Sequence, residues 1–282
     1  MRPGGVWVLA MWVGGRPAGR PGGGRAVSGD YPRMITRIDH VERVPRRVRA
    51  FHGGQVLADS TRVHYVWEWA NYPQFYIPRA DVDEGLLVTD GRTEQSSRGT
   101  SLLYSFAAAP SPAPTVARLL DQPVRSELAG TFRFEWDAVD AWFEEDEEVF
   151  VHPRNPYTRV DALRSSRPVR VELEGVVLAE SPAPVMVFET GLPTRYYLER
   201  TAVRFEHLVA SPTVTRCPYK GTTSAYWSAV VGGVTHPDLA WSYDFPTRQL
   251  TPVAGLVAFY DERVDVFVDG VMRDRPRTHF ST

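Results

Sequence analysis

The feature that most constrains this chain is that it repeats itself. Residues 48 to 82 can be laid over residues 169 to 203 with no gap. Val48 then meets Val169, Gly54 meets Gly175, and Leu57-Ala58-Asp59-Ser60 meets Leu178-Ala179-Glu180-Ser181. Further along, Phe75-Tyr76 meets Tyr196-Tyr197, Arg79 meets Arg200 and Val82 meets Val203. After one residue of slip, Gly99-Thr100 meets Gly221-Thr222 and Tyr104 meets Tyr226; Phe134-Glu135-Trp136-Asp137 resembles Trp241-Ser242-Tyr243-Asp244. A period this long exceeds that of stacked solenoid units, so whole domains are repeated. The expected organisation is a first copy over 34–152, a linker over 153–167 marked by Pro153, Asn155 and Pro156, a second copy over 168–272, and a tail over 273–282.

Both copies read as β structure. Val169, Val171 and Leu173 alternate with polar residues, Glu174-Gly175 makes a tight turn, and Val177 and Ala179 resume the alternation, the pattern of a hairpin. Runs at 185–188, 195–198, 225–231, 239–245, 256–260 and 264–268 are rich in Val, Tyr, Phe and Trp, which suit a pleated, half-buried surface. Gly, Pro and Asp between them predict an antiparallel sheet or barrel. Only Leu119–Leu128 suggests a short helical turn. With 43% hydrophobic residues the chain can build a core. Its net charge of -2 argues against a dedicated nucleic-acid surface, and no apolar run is long enough to span a bilayer. Residues 1–33, rich in Gly, Arg and Pro, are expected to be a disordered extension or an upstream mis-called start before Met34; the apolar stretch Val6–Val13 is weighed against a signal peptide, without a clear cleavage site.

The single cysteine, Cys217, excludes internal disulfides and Cys-rich zinc sites, and fits a reducing, cytoplasmic setting. Every basic residue but one is arginine; the exception is Lys220, three positions after Cys217. Arg216-Cys217-Pro218-Tyr219-Lys220-Gly221 in the second copy faces Gln95-Ser96-Ser97-Arg98-Gly99 in the first, which keeps the Gly-Thr turn and lacks the Cys, Pro and Lys.

Three constellations follow. An ammonium beside a thiol favours the thiolate, so Cys217 and Lys220 form a candidate catalytic pair; a small buried cysteine is the plainer alternative. Arg200 and Lys220 form a candidate anion clamp, with a scaffold ion pair to Glu199 or Glu206 as the alternative for Arg200. Tyr219, Tyr226, Trp227, Trp241 and Tyr243 are candidates for a stacking pocket, against ordinary core packing; Trp227 is set apart because its sequence counterpart is Ser105. The acidic run 144–148 and the basic cluster Arg43, Arg46, Arg47, Arg49 read more simply as a solvated turn and an exposed strand. No phosphate-cradling loop, metal-spaced His pair or Gly-x-Ser-x-Gly elbow occurs.

The Cys-Pro-Tyr-Lys-Gly segment, Tyr226-Trp227, the preceding Tyr-Tyr-Leu-Glu-Arg and the following Ala-Trp-Ser-Tyr and Val-Ala-Phe-Tyr together resemble domain-of-unknown-function family 427, sometimes labelled nucleotidyltransferase-like. The resemblance covers essentially all of the second copy and, in degenerate form, the first. It implies compact all-β domains of the β-tent type with a ligand site on an aromatic-lined sheet. The zinc that some tent relatives hold between cysteine pairs does not carry over, and no metal or cofactor is assigned. The expected function is binding of a small, anionic, partly flat metabolite such as a nucleotide around Lys220. The alternatives are an enzyme using Cys217 or Lys220 covalently and a protein-interaction module.

Overall fold

The hairpin at 169–181 forms as its pattern requires. Strands Val169–Leu173 and Val176–Ser181 pair antiparallel, with Val169, Val171, Leu173, Leu178 and Ala179 all buried. Glu174 and Gly175 turn the corner with φ of 51° and 80°, the doubly left-handed turn whose twist suits a hairpin. The first copy repeats the device with Val48–His52 and Gln55–Ser60, turning at Gly53 and Gly54. Both hairpins carry a bulge at the same place, between Ala50 and Phe51 and between Val171 and Glu172.

The computed structural model describes residues 36–109 and 112–278; the expectations for 1–33 fall outside them. The described chain is all-β and antiparallel, with open sheets and short 3-10 turns. It divides into two compact units, with the change between Pro156 and Tyr157.

Each unit has a large and a small sheet in matching strand order. In the first unit the large sheet runs Val41–Arg43, His64–Val66, Gln74–Pro78, Thr131–Phe134, Ala117–Pro123, Gly99–Phe106, Leu87–Val88. In the second it runs Val160–Arg164, Val185–Glu189, Arg195–Leu198, Val257–Phe259, Val234–Ser242, Ala225–Val231, Leu208–Ser211. The small sheets match too, each with its 48–60 or 169–181 hairpin beside a strand from the end of the copy.

Three expectations are corrected. Val160–Arg164, expected as linker, is a strand paired with Val185–Glu189. Most of Leu119–Leu128 is not helical: Ala117–Pro123 is a strand, and only Ser126–Leu128 coil as a 3-10 turn. The likeness of 134–137 to 241–244 is not structural. Phe134 lies on the strand that corresponds to Val257–Phe259, whereas Trp241 lies on the neighbouring one. Trp136 and Tyr243 are therefore not counterparts.

In the second unit the large sheet is covered on both faces. Toward the small sheet lie Val171, Leu178, Leu198, Trp227, Ala229 and Phe259. On the other face lie Val187, Tyr197, Tyr226, Trp241, Tyr243 and Ala258, with Leu250 and Val253 of the 3-10 turn Arg248–Val253.

Candidate functional site

The second face of that sheet carries the candidate residues that meet. Arg216–Cys217 and Gly221–Thr222 pair as a minimal hairpin with Pro218, Tyr219 and Lys220 between them. Gly221, at φ 99°, adopts a conformation that disfavours a side chain. The Tyr219 carbonyl accepts a bond from Thr247 Oγ1 at 2.6 Å, and the Lys220 carbonyl accepts from the Thr247 amide at 3.1 Å. This anchored turn directs Lys220 inward, where its ammonium pairs with Glu189 and lies 3.8 Å from Cys217 Sγ. The Lys220 and Glu189 side chains are only 11% and 8% exposed.

Electrostatics decides which of these groups is charged. Burial works against the Lys220 ammonium, but Cys217, Glu189 and Tyr197 outweigh it and raise its pKa. Burial pushes the Cys217 thiol up, Lys220 opposes this, and Glu189 reinforces it. Lys220 thus stays an ammonium and Cys217 a thiol at neutral pH, so the neighbouring amine does not produce the acidic thiolate expected from adjacency alone.

Phenols surround the pair. Tyr197, fully buried, has its pKa raised to about 12 by burial and accepts a bond from Trp241 Nε1 at 3.3 Å. Burial also raises Tyr243 well above its usual value. Tyr226 Oη lies 3.0 Å from Tyr260 Oη and 3.2 Å from Thr215 Oγ1, and Trp241 packs against Tyr260 at 4.4 Å. On the same strands a second buried cluster forms. Arg195 grips Glu262 through two bonds of 2.7 and 2.5 Å and reaches Asp261 at 3.5 Å. Burial raises the Asp261 pKa to about 7; Arg195 opposes the rise and the Glu262 charge adds to it. This cluster was missed in the sequence; the adjacent acids Asp261-Glu262, in the turn after the strand Val257–Phe259, are its only trace.

The other candidates are elsewhere. Trp227 points to the opposite face, against Phe205 and the Arg200 guanidinium. Trp227 is cross-strand from Ala240, and Tyr226 from Trp241; the two-residue alternation of a strand separates them. The five aromatics therefore do not form one pocket. Arg200 bonds Asp244 at 3.0 Å, Ser242 Oγ at 3.1 Å and the Gly255 carbonyl at 3.0 Å. Its ion-pair partner is Asp244, not Glu199 or Glu206, and Lys220 is taken by Glu189, so the two cations do not make one clamp.

Strand registers redraw the correspondence between copies. Tyr104 is cross-strand from Ala117 as Trp227 is from Ala240, and Leu103 meets Arg118 as Tyr226 meets Trp241. Trp227 thus corresponds to Tyr104, and Ser105 to Ser228. Arg98 corresponds to Lys220: their carbonyls accept from Val124 and Thr247, and the glycine after each abuts Gln122-Pro123 or Phe245-Pro246. By the same reasoning Glu68 matches Glu189 and Tyr76 matches Tyr197. In the first copy Tyr76 donates to Glu68 at 2.9 Å, and Arg98 lies 4.0 Å from it. The Tyr–Glu–cation arrangement is therefore common to both copies, buried in the second and half-buried in the first. The first copy lacks the lysine but keeps its charge.

The first copy's surroundings differ. Arg133 bonds Glu68 at 3.2 Å and pairs with Glu135 at 2.5 Å, Arg118 pairs with Glu135, and Arg98 pairs with Asp39 at 2.8 Å. The counterparts of Arg133, Arg118 and Glu135 are Ala258, Trp241 and Tyr260. Nearby, the acidic run is a hairpin turn as expected, although Glu144 is buried against Arg46; Arg47 and Arg49 pair with Asp59 and Asp146.

Among the described residues, no group of three or more His, Cys, Asp or Glu side chains converges to hold a metal ion. Nor is any helix among the described residues long and apolar enough to cross a membrane. No curated protein matches the chain. The model of a domain of unknown function, DUF427, matches residues 40–145 and again 161–270. Together these segments span most of the sequence and coincide with the two repeated folds, and the chain belongs to the DUF427 family as a tandem pair.

Proposed function

We propose that the second copy binds a small, partly flat molecule at the corner formed by Cys217, Lys220 and Glu189, in the cytoplasm. The observation that carries this reading is a buried ammonium–carboxylate pair beside the chain's only thiol, on a sheet face of phenols and indole. Buried ion pairs are costly to desolvate and are weak evidence for stability. In the first copy three arginines and additional carboxylates satisfy the matching charges. In the second copy tyrosine and tryptophan take their place, leaving a donor and an acceptor beside aromatic surface.

Because Glu189 already neutralises Lys220, an anionic group such as a nucleotide phosphate must compete with that carboxylate. A ligand carrying its own adjacent acceptor and donor fits the pair without breaking it. Thermal-shift screening of the full chain, with Lys220→Arg and Glu189→Gln variants alongside, tests the reading. A flat compound with paired polar groups is expected to stabilise the parent and lose its effect in both variants. Stabilisation by anionic nucleotides that strengthens in Glu189→Gln would instead support the phosphate-like ligand. If no compound acts, or all three proteins respond alike, the site is wrong. Covalent catalysis by Cys217 is the second reading, favoured by the nearby amine and opposed by the burial that keeps the thiol protonated.

A further inference from the structure

We propose that Cys217 and Lys220 are a reversible oxidative cross-linking site, closing into a sulfur–nitrogen bond when a hydroperoxide oxidises the thiol. The inference does not depend on the ligand reading above; it follows from which two reactive atoms the turn brings together.

The first copy supplies the contrast. Its hairpin closes Ser96 on Gly99 with two residues in the turn; the second closes Cys217 on Gly221 with three. The longer turn folds the lysine back over the residue that opens it, leaving Nζ 3.8 Å from Sγ. The matching positions in the first copy, Ser96 and Arg98, supply neither a thiol nor an amine. Cys217 as a residue is half-buried and the Lys220 side chain is only 11% exposed, so only an oxidant as small as hydrogen peroxide suits the site. A sulfenic acid formed there has an amine as its neighbour.

The chemistry balances in two steps. The minor thiolate form of Cys217, which Lys220 favours against burial, attacks the peroxide oxygen and breaks the O–O bond; with the proton the thiol gave up, the products are Cys217 sulfenic acid and, from hydrogen peroxide, one water. Lys220 gives a proton to Glu189, which already touches the ammonium. The freed nitrogen lone pair attacks Sγ, the S–O bond breaks, and the oxygen leaves as water with the nitrogen's second proton and the sulfenic hydrogen. Glu189 returns its proton to solvent. Sulfur is oxidised, peroxide is reduced, and the peptide has lost two hydrogens overall. An added dithiol reverses the bond, regenerating thiol and amine.

Lys220 is the only lysine, so a lysine-specific endoprotease has one lysine to cut after. The native full chain is treated with hydrogen peroxide, quenched, unfolded in urea without reductant and digested. Cutting at Lys220 is expected to fall by about tenfold or more relative to untreated chain, because proximity makes closure intramolecular. Dithiothreitol should restore it, and a Cys217→Ser variant should be cut normally. In a parallel digest with an arginine-specific protease, the peptide between Arg216 and Arg248 that holds both residues should be lighter than its reduced form by two hydrogens, a reading that stands even if the variant folds poorly. Undiminished cutting overturns the proposal, whether Cys217 remains a thiol or goes on to sulfinic acid. So does a loss of cutting that reductant does not reverse or that Cys217→Ser shares.

Discussion

The matched sheet faces of the two copies start from the same three positions and surround them differently. Tyr76, Glu68 and Arg98 in the first copy correspond to Tyr197, Glu189 and Lys220 in the second. Around the first set, Arg133, Arg118 and Glu135 extend the charges into a network that is partly open to solvent. Around the second, Trp241 and Tyr260 stand where Arg118 and Glu135 stand in the first, Ala258 replaces Arg133, and Lys220 and Glu189 pair more deeply buried. The difference teaches that the cation and its carboxylate are common to the two copies, and that the second copy's distinction is the deeper burial, the aromatic setting and the cysteine beside them.

The sharpest way to break that comparison is to remove the cation. Lys220→Ala leaves Glu189 buried without its partner and should destabilise the second copy by about 3–5 kcal/mol. Lys220→Arg should cost far less, because Arg98 occupies the matching position; both are read by urea denaturation. If arginine is as damaging as alanine, the two positions are not equivalent. Trp227→Ala tests the revised pairing with Tyr104. As a core aromatic it should cost about 3–5 kcal/mol, while Trp227→Tyr should retain most of the stability. A ligand-facing tryptophan would instead tolerate alanine.

A smaller effect concerns pH and has no counterpart in the first copy, where Trp136 occupies the place of Asp261. The Asp261 pKa is raised to about 7, above the usual carboxylate value, so the folded state binds its proton more tightly than the unfolded chain does. Its contribution to stability is complete below about pH 4 and is lost as the pH rises through 7. Asp261→Asn should therefore stabilise the protein at pH 8 by up to about 4 kcal/mol and change little at pH 4. Equal effects at both pH values would refute the shift. The smallest effect is expected for Arg98→Lys, within about 1 kcal/mol, since lysine keeps the charge and Asp39, the nearest partner, is one-third exposed; a loss like that of Lys220→Ala would show that the first copy relies on its ion pair more than the second.

The sequence by itself determined the duplication, the β class and the hairpins. The duplication follows from a register held between distant stretches; the β class and the hairpins follow from two-residue alternation, β-branched and aromatic composition and left-handed turn residues, all local properties. It also singled out Cys217 and Lys220 by their rarity. Tertiary structure decided what those residues meet. Glu189 lies 31 residues from Lys220 and is brought to it only by folding, and Arg195 finds Glu262 across 67 residues. The alignment slipped at Trp227 and at 241–244 because the copies differ in turn and loop lengths, so equal spacing in sequence no longer meant equal register in the sheet. A strand that shifts by one residue exchanges its two faces; this is why Trp227 belongs to the core shared with the small sheet, while Tyr226 and Trp241 line the face that holds Lys220.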